Sequence, residues 1–143
     1  MYSSILVPID ISEKKLNMQM IPHVQNYALN NSAKVHFLTV IPAINIFSSL
    51  GLSYPEEFLD INEIQWRVLS KLDTVVAQFK IPPSMVQTYI ATGSPKDEIL
   101  KLADKIGADL IIMSSRAPDL HNFIGSNVST VIRHAKCSVL VIK

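Results

Sequence analysis

A single cysteine, Cys137, leaves the chain unable to build an internal disulfide framework. No apolar run approaches the length needed to span a bilayer, and Met1-Tyr2-Ser3-Ser4 lacks the charged and apolar regions of a signal peptide. A cytoplasmic location away from membranes is therefore expected. An excess of charge of one sign is also missing: 13 Lys plus Arg stand against 12 Asp plus Glu, so nothing draws the chain toward nucleic acid or an anionic surface. The 4 histidines, His23, His36, His121 and His134, have no metal-ligand spacing, and no protein-held metal is expected. Absent too are the Gly-x-Ser-x-Gly elbow, the Gly-x-x-x-x-Gly-Lys-Ser/Thr phosphate loop and an early Gly-x-Gly-x-x-Gly turn. With no catalytic constellation in view, the chain does not read as an enzyme.

What is present describes one globular domain over residues 1–143, 48% hydrophobic and 17% charged. Strands are expected at Ser3 to Asp10, Lys34 to Ile41, Met85 to Ala91, Asp109 to Ser114 and Ser138 to Lys143. Ile5-Leu6-Val7-Pro8-Ile9 and Leu110-Ile111-Ile112-Met113 are apolar without alternation, as suits strands covered on both faces. Helices are expected between them. The first starts at Ser12, carries Met18, Ile21, Val24 and Ala28 inward, and meets a kink or fresh start at Pro22. The second runs from Pro55 with Phe58, Ile61, Ile64, Val68, Leu72, Val75 and Phe79 on one stripe and Trp66 off it. Ser94-Pro95-Lys96-Asp97 opens the third, which turns Ile99, Leu102, Ala103 and Ile106 inward and ends at Gly107. The fourth covers Ser126 to Lys136 with Val128, Val131, Ile132 and Ala135 on one face. Between Ala43 and Tyr54 an apolar loop reads first as a cover over the core, and otherwise as a flap over a ligand or partner.

Strict alternation of strand and helix argues for an open, doubly wound α/β sheet with helices on both faces, whose crevice lies where the winding reverses. If the first and fourth strands are neighbours there, Asp10, Ser114 and Gly125-Ser126 converge. That chemistry suits a nucleotide: Asp10 for ribose hydroxyls or a cation, backbone near Val40 for a base edge, and N–H groups from Gly125 to Asn127 for phosphate, with Arg116 adding positive charge. Plainer roles stand beside each. Asp10 and Ser126 are also suitable helix caps, and Arg116 can face solvent.

Ile5-Leu6-Val7-Pro8-Ile9-Asp10, Gly93-Ser94-Pro95, Ala108-Asp109-Leu110-Ile111, Gly125-Ser126 and the ending from Val131 to Ile142 occur in an order that resembles the universal stress protein family along the whole chain. Pro8-Ile9-Asp10-Ile11-Ser12 with Ser49 to Tyr54 is more similar to its F-type bacterial members. The resemblance implies a Rossmann-like, adenine nucleotide alpha hydrolase-like sheet of order 3-2-1-4-5. It also implies homodimers paired through Val139 to Ile142, with tetramers as a further assembly, and a ligand that is ATP or another adenine nucleotide accompanied by Mg2+. It places Pro8, Ile9, Asp10 and Val40 around base and ribose, and Ser114, Ala117, Gly125, Ser126 and Asn127 around phosphates. Met113 and Arg116 complete the expected site. The family's Gly-x2-Gly-x9-Gly-Ser/Thr motif falls on Ser114, Ala117 and Gly125-Ser126, with two glycines replaced and seven residues in place of nine. A Cβ at either replaced position narrows the approach to phosphate, so the implied grip differs from the family's standard one. The implied function is a nucleotide-binding stress-response module working through assembly or partner binding. The alternative is a dimerisation protein with a vestigial pocket, and the third reading is a slow ATPase or nucleotide transferase.

Overall fold

Five runs of aliphatic and β-branched residues pair into one sheet in the computed structural model, which describes residues 1–41, 61–115 and 125–143. The strands are β1 (Ser4–Pro8), β2 (Lys34–Ile41), β3 (Val86–Thr92), β4 (Leu110–Ser114) and β5 (Ser138–Ile142). All pair in parallel, in the order β3-β2-β1-β4-β5. The described helices are α1 (Lys14–Asn31), α2 (Ile61–Ala77), α3 (Pro95–Ile106) and α4 (Ser126–His134). Alternate residues of the central strands feed two cores. Ile5, Val7 and Phe37 pack against Met20, Val24 and Ala28 of α1 and Leu72 of α2. Leu6, Leu38 and Ile111 pack instead against Ile99 and Leu102 of α3 and Val128 and Val131 of α4. Right-handed crossovers produce this division: β1 to β3 wind one way, β3 to β5 the other, and each direction lays its helices on a different face.

Several local expectations are corrected. The first helix begins at Lys14, with Glu13 as its N-cap, because the Ser12 side chain turns back to Asp10. It runs unbroken past Pro22. The hydrogen bond that proline removes belongs to the carbonyl of Met18, and both residues lie on the exposed side, where water can replace the lost donor. Met18 is accordingly 53% exposed, and the buried row is Asn17, Met20, Val24 and Ala28. Ile132 is 45% exposed, since Val128, Val131 and Ala135 already fill the face that α4 turns inward. Met85 belongs to a 3-10 turn, Pro83–Met85, ahead of β3. Ser94 occupies the N-cap of α3 but makes no side-chain cap bond, while Gly107 closes that helix in the left-handed region, φ 64°. Trp66 lies off the buried stripe of α2, 67% exposed. The apolar loop at 43–54, the helix start at Pro55 with Phe58, His121, Arg116 and Ala117 lie outside the described residues.

At the edge opposite the crevice, Asp109 joins β1 to β4. Its carboxylate accepts from the Ser3 N–H at 2.9 Å, the Ser4 N–H at 3.1 Å and the Ser3 hydroxyl at 3.0 Å. Burial pushes its pKa up, but these hydrogen bonds outweigh that and hold it below the usual carboxylate value. The stability this contributes is present above pH 3.8, the unperturbed value, and is lost as pH falls through the lower folded one. Asp109→Asn is therefore expected to cost about 1 kcal/mol at pH 7. Its deficit against the wild type should shrink below pH 4, as urea unfolding across pH will show.

Candidate functional site

The switch point falls between β1 and β4, and a cleft of about 680 Å3 opens at the carboxyl ends of these strands. Its size lies in the range of small-molecule and cofactor sites. Pro8, Ile9 and Asp10 enter from the end of β1, Val40 from β2, and Met113 and Ser114 from β4. Gly125, Ser126 and Asn127 enter from the start of α4. Nine of the eleven expected site residues thus line one cleft; the other two, Arg116 and Ala117, are the ones outside the described chain.

Asp10 is fixed by its own turn. One carboxylate oxygen accepts from the Ser12 N–H at 3.0 Å and the Ser12 hydroxyl at 2.6 Å, an Asx turn just ahead of α1. Its backbone carbonyl accepts from the Glu13 N–H at 3.0 Å and from Asn17 Nδ2 at 2.8 Å. Glu13 occupies the N-cap of α1 without a side-chain cap bond, and the carboxylate of Asp10 closes the preceding turn. Upstream, the Ile9 N–H donates to the Leu38 carbonyl at 2.7 Å, which carries the sheet pairing to the rim of the cleft.

Asp10 is the one charged residue among the described lining residues. The opposite wall therefore has to offer an anion its backbone dipoles. Gly125 occupies the N-cap of α4, with no side-chain cap bond, and the first turn of α4 carries no acidic residue. The leading N–H groups of a helix have no partner within it and sit at the positive end of its dipole. The N-terminus of α3 also reaches the cleft through Pro95, but its first turn already holds Asp97 and Glu98. Ser126 is the first helical residue of α4 and does not fill the capping role expected of it, since Gly125 occupies the N-cap position.

Sequence reasoning passed over Asn17 and Thr39, both buried and both lining the cleft. The signal was a polar residue inside an otherwise apolar row, on α1 for the first and β2 for the second. Other titratable groups with clear shifts lie outside the lining. Burial and then the charge of Lys34 push His36 below its ordinary value, and its Nδ1 lies 2.8 Å from the Tyr89 hydroxyl. Burial, followed by the charge of Asp109, pushes the Cys137 thiol above its ordinary value. No group of three or more potential metal-ligating side chains occurs among the described residues, and no described helix is long and apolar enough to cross a membrane.

A doubly wound parallel sheet of this order, with a cleft at its switch point walled by an acidic turn and a helix N-terminus, defines a Rossmann-like α/β protein. The universal stress protein family model matches residues 1–143, and the chain belongs to that family. Universal stress protein G of Shigella flexneri is 33% identical over 148 aligned residues that cover all of both chains. Universal stress protein MJ0577 of Methanocaldococcus jannaschii is 30% identical, with 100% of this chain and 96% of the relative covered. A solved structure of MJ0577 superposes with a TM-score of 0.73 at 28% identity, covering 100% of this chain and 96% of that one. At the level of fold, similar structures include a universal stress protein in complex with cAMP, 19% identical with a TM-score of 0.67 over 99% of this chain and 97% of that one. Another is the Archaeoglobus fulgidus protein in complex with dAMP, 18% identical with a TM-score of 0.67 over 99% and 98%.

Proposed function

We propose that the chain is an adenine-nucleotide-binding stress-response module, with ATP as its ligand and Mg2+ as the counterion. The observation that carries this reading is the cleft's polarity: a fixed carboxylate at Asp10 on one wall, and the carboxylate-free N-terminus of α4 on the other. In this reading Asp10 accepts from ribose hydroxyls, with Pro8 and Ile9 alongside. The Val40 backbone meets the base edge, and N–H groups from Gly125 to Asn127 meet phosphate. Met113 and Ser114 form the floor between them, with Arg116 and Ala117 following on the phosphate side. The fold neighbours in complex with cAMP and dAMP support the capacity of this architecture to take an adenine nucleotide.

Binding rather than turnover is the proposed output, because Asp10 is the only titratable side chain on the described lining and the Ser12 hydroxyl bonded to it is held within the Asx turn. Occupancy would act on assembly or on a partner surface, in the cytoplasm and without nucleic acid. The half-buried edge strand β5, with Val139 to Ile142, is proposed as the homodimer seam, since an apolar sheet edge needs cover; pairs of dimers would form tetramers.

Small molecules released from purified protein should include an adenine nucleotide. ATP with magnesium should bind saturably, and Asp10→Ala should weaken that binding roughly tenfold, the worth of a hydrogen bond to a charged acceptor. Protein that copurifies with no nucleotide and fails to titrate would instead favour a dimerisation module with a vestigial pocket, as Ser114 and Ala117 in place of glycines would then imply.

A further inference from the structure

We infer that Asn17 is a positioning residue that holds Asp10 in place to read the ribose; this rests on the nucleotide reading above. Asn17 is only 2% exposed and belongs to the buried row of α1, whose other members, Met20, Val24 and Ala28, are apolar. A carboxamide in such a row is unfavourable unless it is hydrogen-bonded, and a leucine would fill the space with no polar group to satisfy. What the amide provides is a bond out of the helix: Nδ2 donates to the Asp10 carbonyl at 2.8 Å. Ser12 and Glu13 also bond Asp10, Ser12 from within the same turn and Glu13 from the N-cap of α1. Asn17 sits within the 18-residue body of α1, with its own N–H bonded to the Glu13 carbonyl at 3.1 Å. It therefore ties the turn to the body of α1 through a side chain, alongside the Ile9 N–H bond that ties the preceding residue to β2. Asn17 also lines the cleft, so the bond that steadies the turn is made at the same site as the carboxylate.

The test compares ATP, 2′,3′-dideoxy-ATP and AMP on the full chain and on Asn17→Leu by calorimetric titration. The wild type should prefer ATP to the dideoxy analogue roughly tenfold, through the hydrogen bonds its hydroxyls give to Asp10. Asn17→Leu should reduce that preference to within about twofold while leaving the ATP-to-AMP ratio unchanged, because the phosphate wall is built from α4. Asn17→Ala, which suits a helix and adds no bulk, provides the same comparison if the leucine variant does not fold. A variant that keeps the full hydroxyl preference overturns the inference alone, and so does an equal loss for all three ligands, which would mark a purely structural role. A wild type that binds ATP without distinguishing the dideoxy analogue also defeats it and leaves the nucleotide reading standing. If the wild type binds no ATP, both fall.

Discussion

Ser126→Asp is expected to weaken ATP binding by roughly a hundredfold while leaving the protein as stable as the wild type or slightly more so. The two effects have opposite signs because one carboxylate meets two partners. At the first position of α4 it faces the positive end of the helix dipole, an interaction worth about 0.3–1 kcal/mol in favour of folding. In the proposed complex it also faces phosphate. Two like charges about 5 Å apart in a partly screened cleft repel by roughly 3 kcal/mol, which corresponds to that hundredfold. The wild-type first turn of α4 carries no acidic residue, whereas α3, whose N-terminus reaches the same cleft, holds Asp97 and Glu98. Titration with ATP and with adenosine separates the terms. Adenosine binding should be unchanged in Ser126→Asp, and thermal unfolding should show no loss. Equal ATP affinity in the two proteins would remove phosphate from α4 and with it the proposed orientation of the ligand.

The fold was legible where a whole strand carries one message. Leu110 to Met113 has no alternation because both of its faces meet helices, and Ile5 to Ile9 reads the same way for the same reason. Helix faces were less legible. On α1 the eye follows Met18 because it is apolar, yet the inward row passes through Asn17, and hydrophobicity alone cannot signal a buried amide that has found a partner. Ile132 fails in the other direction: it lies one step beyond the face already filled by Val128 and Val131, and periodicity does not say how wide the opposing surface is. At the cleft, Asp10 and Gly125 announce themselves as the ends of elements. Their meeting depends on β1 lying beside β4, a long-range pairing that no local pattern encodes: strand alternation offered it only as a condition, and the family resemblance implied it through the sheet order. Thr39 and Asn17 lie inside elements, where a lone polar residue is outvoted by its apolar neighbours.

Phe79→Ala is expected to destabilise the chain by about 3–5 kcal/mol, a large part of the 5–15 kcal/mol typical of a domain, without changing nucleotide affinity in the molecules that remain folded. The periodic stripe of α2 extends to Phe79, but the helix ends at Ala77 and the chain tightens, with the Phe79 N–H bonded to the Val76 carbonyl at 3.0 Å. This turn, followed by Lys80 at φ 53°, directs the ring inward to complete exclusion from solvent. Its centroid lies 4.9 Å from that of Phe37 on β2, at an interplanar angle of 58°. Its carbonyl accepts from Gln25 Nε2 of α1 at 2.8 Å. One residue thus joins two helices to the central sheet, and truncating it leaves a cavity that the surrounding elements cannot close without breaking those contacts. Phe79→Leu, which keeps most of the volume, should cost about 1–1.5 kcal/mol. Chemical denaturation of both variants measures the ratio, and a penalty for alanine no greater than that for leucine would mean that the site collapses freely around the missing ring. Because Phe79 is absent from the cleft lining, ATP affinity measured well below the melting temperature should match the wild type. A loss of affinity in the folded variant would instead show that the α1 face of the core transmits strain to the Asp10 turn.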